Sequence, residues 1–337
     1  MLEEQIESIV LDHRAPYLMP EGGDIGRVSV AENAVKDYID HIKATVPFAL
    51  DGMRIALDCA NGSASRTAER LFTELGAQVY MLSDQPNGVN INDNCGSTHM
   101  ESLMAFVKEN HLDAGVAFDG DADRCLAVDN QGNLVDGDFV MAICALDMKS
   151  RGKLAKNTVV GTIMTNMGFI RFCEENGMNF VATKVGDRYV LEEMLLEEYS
   201  FGGEQSGHMI FLEYATTGDG QLTALQILAL LQRSGKKASE LFGRLSARYP
   251  QVLINIPVAD NDRKKAVMAS QALADAVAAE EEKLAGEGRV LVRPSGTEAL
   301  MRVMVEARDQ DTAQAAAQRL ADRSPPCDRK LEGVEVS

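Results

Sequence analysis

Leu112-Asp113-Ala114-Gly115-Val116-Ala117-Phe118, then Asp119-Gly120-Asp121-Ala122-Asp123-Arg124, then Cys125-Leu126-Ala127-Val128-Asp129: this run decides how the chain is read. Its two flanks are short apolar stretches of strand type, the second leading into an Asn130-Gln131-Gly132-Asn133 turn. Between them stand three carboxylates on alternate residues, which repel one another unless positive charge sits among them. Side chains at i, i+2 and i+4 of an extended segment point the same way, so one hard divalent cation with oxygen ligands can meet all three. A solvated acidic turn between strands is the competing account. A calcium EF-hand is a poor fit, because its sixth position would be Gly and is Arg124, and its twelfth would be Glu and is Asn130. Gly120 and the following Arg124 favour a loop that brings phosphate oxygens up to a metal, with Mg2+ the expected cation.

Outward from that loop the pattern alternates strand and helix. Upstream, Arg54–Asp58 reads as a strand, followed by a Cys59–Ala64 turn and a helix through Leu71 and Leu75 to Gly76. The strand Gln78–Leu82, a polar loop from Asn87 to His99 and a helix over 100–110 complete the first unit. After Asp136-Gly137-Asp138 the plan restarts. Helices are expected over 138–150 and 167–176, strands over 158–163 and 180–183, and the Lys184–Arg188 loop opens another helix to Glu198. Asp219 then starts a helix with Leu222, Leu225, Leu228 and Leu231 on one stripe and Gly235 as its stop.

Single helices between strands predict an α/β chain: two tandem α/β domains with mixed sheets, at 31–133 and 134–246. From 247 the character changes. Val252–Val258 is a strand, an Ala-rich helix covers 263–285, and strands Arg289–Val292 and Leu300–Glu306 flank Arg293–Glu298. With a closing helix over 311–322, this is a small α+β C-terminal domain at 247–322. Residues 1–30, broken by Pro16, Pro20, Gly22 and Gly23, read as a linker or the remnant of an earlier domain. Ser29 is expected to cap the next helix, which Pro47 stops. The tail 323–337 loses the apolar period and is expected to be disordered.

With 337 residues, 45% hydrophobic and 25% charged, the chain has the composition of a soluble multidomain protein. No apolar run approaches the ~18 residues of a membrane helix. A net charge of −18 argues against nucleic acid or an anionic membrane surface as partner. It also means that any phosphate site must be built locally, from Arg, Lys and backbone N–H groups. The six cysteines are scattered with no CxxC pair, as expected of reduced thiols in the cytoplasm.

Two further loops carry candidate chemistry. Arg293-Pro294-Ser295-Gly296-Thr297 offers a guanidinium, two hydroxyls and consecutive N–H groups to a phosphate dianion, or is an ordinary hairpin loop. Glu204-Gln205-Ser206-Gly207-His208 suits gripping two sugar hydroxyls, or is a Gly-rich strand connection with a satisfied His208. Lys184 and Arg188 either add positive charge nearby or are solvated residues at a helix start.

In order, DGDADR (119–124), GGEQSGH (202–208) and RPSGTE (293–298) resemble the α-D-phosphohexomutase superfamily, over about residues 30–322. Gln205, Asn90-Ile91-Asn92 and Cys95-Gly96-Ser97-Thr98-His99 look most like its phosphoglucosamine mutase branch. The phosphomannomutase/phosphoglucomutase branch is the alternative, as is a non-catalytic phosphosugar-binding relative. The resemblance implies that Asp119, Asp121 and Asp123 ligate Mg2+ and that Arg124 faces the transferring phosphate. Glu204 and Ser206 would hold sugar hydroxyls, with His208, Lys184 and Arg188 beside the substrate. Arg293, Ser295, Gly296 and Thr297 would grip the phosphate that is not reacting. The implied reaction interconverts glucosamine 6-phosphate and glucosamine 1-phosphate through a bisphosphate, a step toward UDP-N-acetylglucosamine and cell wall.

One departure matters. The family's phosphoryl-carrying serine, in a Ser-His-Asn-Pro-type loop of a first domain, has no counterpart here, and Ser63 and Ser65 lack its flanking residues. The expectation is a chain that folds and binds Mg2+ and hexosamine phosphate weakly, without turnover. Surface left uncovered by a missing domain would also favour a homo-oligomer.

Overall fold

The computed structural model describes residues 2–11, 20–243, 248–295 and 298–323. The expected tail beyond Arg323, and Gly296 and Thr297 of the phosphate loop, lie outside the described residues. Residues 1–38 group as one unit, containing helix α1 (Leu2–Val10), a 3-10 turn at Gly22–Asp24 and the start of α2 (Ala34–Lys43). Ser29 does not cap α2. A turn at Glu32–Asn33 intervenes, closed by the Ala34 N–H donating to the Ala31 carbonyl at 3.2 Å, and the helix begins only there.

The rest of the chain, residues 39–337, forms the second unit. In its first layer β1 (Arg54–Asp58) lies between β2 (Gln78–Leu82) and β3 (Ala114–Phe118), parallel to both. Strands β4 (Cys125–Val128) and β5 (Leu134–Val135) continue the sheet antiparallel, in the order β2-β1-β3-β4-β5. Helix α3 (Ala68–Glu74) packs on β2 and α4 (Glu101–Glu109) on β1 and β3. Leu103 and Val107 of α4 bury against Ala56, Ala117 and Val128, the residues that alternation directs to one face.

Helix α5 (Gly137–Ser150) starts where Asp136 caps it, its Oδ1 accepting the N–H groups of Asp138 and Phe139 at 3.1 and 3.3 Å. The second sheet follows: β6 (Thr158–Thr162), helix α6 (Met167–Glu175), β7 (Asn179–Thr183), helix α7 (Asp187–Leu196), then β8 (Phe201–Gly203) and β9 (Met209–Phe211). Its order is β7-β6-β8-β9, with β6 parallel to both neighbours and β9 antiparallel to β8. Helix α8 (Gly220–Ser234) carries the leucine stripe, capped by Asp219 Oδ1 at 2.9 Å from Leu222 N and ended by Gly235 at φ 61°. With α5 and the short α9 (Ala238–Phe242) it makes a helical layer between the sheets: α8 lies on β3 and β4, and α5 touches β4 and β8.

The C-terminal sheet is antiparallel, β10 (Gln251–Pro257), β12 (Leu300–Ala307) and β11 (Gly288–Pro294) in that spatial order. The helix expected over 263–285 is two, α10 (Asn261–Met268) and α11 (Gln271–Leu284), broken where Ser270 turns extended at ψ 122°. One continuous helix would run about 34 Å, whereas a seven-residue strand such as β10 spans about 23 Å. The break lets both pieces lie on the sheet. Helix α12 (Gln310–Arg323) closes the domain, with Ala313, Ala316, Ala317 and Leu320 buried against Val303 and Val305.

In the two α/β layers the loops after β1, β3, β6, β7 and β8 leave the carboxyl ends of parallel strands, where α/β sheets bind their ligands.

Candidate active site

The acidic loop is a turn rather than the extended segment its spacing suggested. The Ala122 N–H donates to the Asp119 carbonyl at 3.1 Å, Ala122 sits at φ 60°, and the Arg124 N–H donates to Asp119 Oδ1 at 3.1 Å. The turn still gathers the carboxylates of Asp119, Asp121 and Asp123, each offering an oxygen within 4.8 Å of the others. A backbone floor supports it: the Ser63 N–H donates to the Gly120 carbonyl at 2.9 Å. The approach is so close that a Cβ on Gly62 would lie 2.2 Å from that oxygen.

Burial, followed by repulsion from Asp123 and Asp121, pushes the Asp119 carboxyl up to about 6, against the opposing pull of the Arg124 amide. Arg124 relieves little of this, since its Nε lies 3.7 Å from Asp119 Oδ2 and 3.8 Å from Asp123 Oδ1. Asp123 Oδ1 is buried with no hydrogen-bond partner. Three converging carboxylates, one with a buried, donorless oxygen, fit a hard dication. Asp119, Asp121 and Asp123 are the residues that would hold Mg2+.

Behind them stands His208, 3% exposed. The Gly218 N–H donates to its Nε2 at 3.1 Å, so Nδ1 carries the proton and donates to Asp123 Oδ2 at 3.0 Å. Both ring nitrogens are thus engaged within the protein. Rather than facing a substrate, the imidazole fixes the orientation of Asp123. The Cys125 N–H donates to the Gly207 carbonyl at 3.0 Å, and Arg124 and His208 form an antiparallel bridge. The loop after β8 is therefore laced to the loop after β3. Gly207, at φ 96°, permits this contact, since a Cβ there would meet the Cys125 carbonyl at 2.5 Å.

In the same loop Glu204 Oε1 accepts the Gly186 N–H at 3.1 Å, and Ser206 Oγ is buried without a hydrogen-bond partner. Gln205 turns back, its Nε2 donating to Asp138 Oδ2 at 3.1 Å. Lys184 lies over the Tyr189 ring, 5.6 Å from its centroid. Arg188 runs along α7, its Nε donating to Glu192 at 2.8 Å, and its side chain is 73% exposed.

Asp138 begins a buried polar chain that leaves the loop. Its Oδ2 also accepts the Asn166 N–H at 3.1 Å, and Asn166 Nδ2 donates to Glu306 Oε1 at 3.2 Å. Glu306 Oε2 accepts the Met167 N–H at 3.0 Å and Arg289 Nε at 2.7 Å. Burial, then the neighbouring Asp136, pushes Asp138 up to about 8.

In the C-terminal domain Arg293 faces Arg302 directly across the β11–β12 register. Like charges so placed destabilise a sheet unless an anion joins them. Arg302 donates to Glu298 Oε2, yet the Nε atoms of both arginines are buried without a hydrogen-bond partner. Burial and Arg302 together push the Arg293 guanidinium below its usual range. Ser295 Oγ accepts the Glu298 N–H at 3.2 Å. Sequence reasoning missed Arg302, which reads as an ordinary strand residue. Only the strand register reveals it.

Known proteins resemble the chain throughout this framework. The model of phosphoglucomutase/phosphomannomutase alpha/beta/alpha domain II matches residues 36–132, that of domain III residues 136–249, and that of the C-terminal domain residues 253–323. The phosphoglucosamine mutase of Desulforamulus reducens is 50% identical over 321 residues, spanning 95% of this chain and 71% of its own. That of Clostridium acetobutylicum is 51% identical over 321 residues, with the same shares, 95% and 71%. Among solved structures, Aspergillus fumigatus N-acetylphosphoglucosamine mutase in complex with GlcNAc-6P and magnesium superposes with a TM-score of 0.73 at 21% identity. The match covers 87% of this chain and 66% of that one. A phosphoglucomutase/phosphomannomutase family protein of Burkholderia thailandensis gives 0.70 at 22% identity, covering 86% and 64%. The chain thus spans 71% of those two mutases and just under two thirds of the solved chains.

Proposed function

Because the chain belongs to the phosphoglucomutase/phosphomannomutase family, we propose that it supplies the Mg2+ and phosphosugar sites for interconverting glucosamine 6-phosphate and glucosamine 1-phosphate. The observation that carries this reading is the acidic turn, three carboxylates of which one has a buried oxygen that accepts no hydrogen bond, laced to the loop of Glu204 and Ser206. When bound to Asp119, Asp121 and Asp123, Mg2+ supplies electrostatic stabilisation of a transferring phosphoryl group.

The chain's own residues do the rest. Arg124 turns its guanidinium toward the charge that develops in transfer. His208 holds Asp123 in place. Glu204 and the unpartnered Ser206 hydroxyl take two sugar hydroxyls, with Lys184 nearby as a counter-charge. Arg293, Arg302 and Ser295, with Gly296 and Thr297, grip the phosphate at the sugar's other end, so each phosphate can be presented in turn as a bisphosphate reorients. The setting is the cytoplasm and the supply of UDP-N-acetylglucosamine.

Phosphoryl transfer needs a carrier, and the family's Ser-His-Asn-Pro loop has no match in this sequence. We therefore expect these 337 residues to bind glucosamine 6-phosphate in the presence of Mg2+ but not to form glucosamine 1-phosphate. Calorimetry tests binding, with mannose 6-phosphate as competitor for the other branch. A coupled assay with glucosamine 1,6-bisphosphate tests turnover. No binding refutes the site, and ordinary turnover refutes the need for the missing loop.

A further inference from the structure

Helix α10 is capped by Asp260, whose Oδ1 accepts the Arg263 N–H at 2.7 Å. Lys264 and Val267, three apart and so on one face, are both buried. Val267 packs with Val258 and Met301, which turns this face to the sheet and carries Lys264 under the β11–β12 loop. Lys264 is 7% exposed, and its Nζ donates to the Ser295 carbonyl at 2.8 Å and the Glu298 carbonyl at 2.6 Å.

Among the described residues no carboxylate pairs with this ammonium; its partners are two backbone carbonyls. A buried cation without a counter-charge is costly, and carbonyl dipoles offset only part of that cost. Arg293 and Arg302 stand in the same domain, each with a buried Nε that has no hydrogen-bond partner, and Glu298 is paired with Arg302. Three cations against one carboxylate leave a local surplus in a chain whose net charge is −18. An anion at the loop would balance it.

On the reading above, that the loop of Arg293 and Ser295 takes a sugar phosphate, we propose that Lys264 is its positioning residue. It draws the two ends of the turn, Ser295 and Glu298, to one point, and it adds a third positive charge beneath the bound phosphate. K264M would free the carbonyls and remove that charge, whereas K264Q would remove the charge and keep a donor for a carbonyl.

The test titrates glucosamine 6-phosphate and inorganic phosphate calorimetrically into the wild type, K264M, K264Q and R293Q, at low and at moderate salt. K264M should bind both ligands roughly ten- to a hundredfold more weakly. Its affinity should also depend less on ionic strength, which loss of a merely structural contact would not produce. K264Q keeps a donor and should recover part of the affinity while retaining the shallower salt dependence, and it carries the test should K264M not fold. Mg2+ affinity should be unchanged in both. Wild-type affinity and salt dependence in K264Q, beside weakened binding in R293Q, would overturn the role of Lys264 alone. Unchanged binding in R293Q would overturn the phosphate site itself.

Discussion

Asp138→Asn should remove a pH dependence of stability that the wild type carries. Asp138 is 1% exposed, its Oδ2 accepts from Asn166 and Gln205, and its Oδ1 is buried without a partner. Burial first, then Asp136, holds its proton up to about pH 8, whereas an unfolded aspartate releases its own near pH 3.9. Between those values the folded protein carries the extra proton, so stability falls as pH rises, by about 1.4 kcal/mol per pH unit. From pH 5 to pH 8 the loss is at most about 4 kcal/mol. Asparagine matches the protonated acid in shape: its oxygen accepts the same two donors and it has nothing to titrate. Urea denaturation of both proteins, followed by circular dichroism from pH 5 to 8, reads the effect, because titrations remote from the Asp136–Asp138 pair cancel in the difference. The variant should gain on the wild type steadily up to about pH 8 and no further. A difference that stays constant across the range would show Asp138 ionised in the folded protein and refute the argument.

Two more expectations follow from the acidic turn. His208→Ala removes the donor that orients Asp123, so Mg2+ affinity measured by calorimetry should fall roughly ten- to a hundredfold, and an unchanged affinity would mean the carboxylates hold their places unaided. Gly207→Ala forces a side chain into a left-handed conformation against the Cys125 carbonyl 2.5 Å away. It should cost about 1–3 kcal/mol or more in thermal unfolding, and a neutral outcome would contradict the packing of the two loops.

What could be read from the sequence was what is decided locally. Helix α8 announced itself because its cap, its stripe and its glycine stop all lie within one stretch from Asp219 to Gly235. The single helix expected over 263–285 failed because the break at Ser270 answers to the length of the sheet beneath, which no local pattern records. The acidic residues were legible as a set, yet their geometry was not. An alanine at φ 60° is held there by tertiary contacts, the Gly220 N–H donating to the Ala122 carbonyl at 2.8 Å among them. His208 was visible as a residue and hidden as a function, its partner Asp123 lying in another sheet's loop. Arg302 and Lys264 went unseen for the same reason, since only strand register and helix docking bring them to Arg293 and Ser295.

The hydrogen bond from His208 to Asp123 has a consequence beyond its own energy. It rivets a hairpin of the second sheet to a turn of the first, across a seam filled by α5 and α8. The spacing of the three acids therefore gauges how the two slabs are seated. A methyl group deleted from the leucines of that filling, remote from any ligand, would be registered at the cation as a looser grip, and an ion in place would in turn clamp the seam shut.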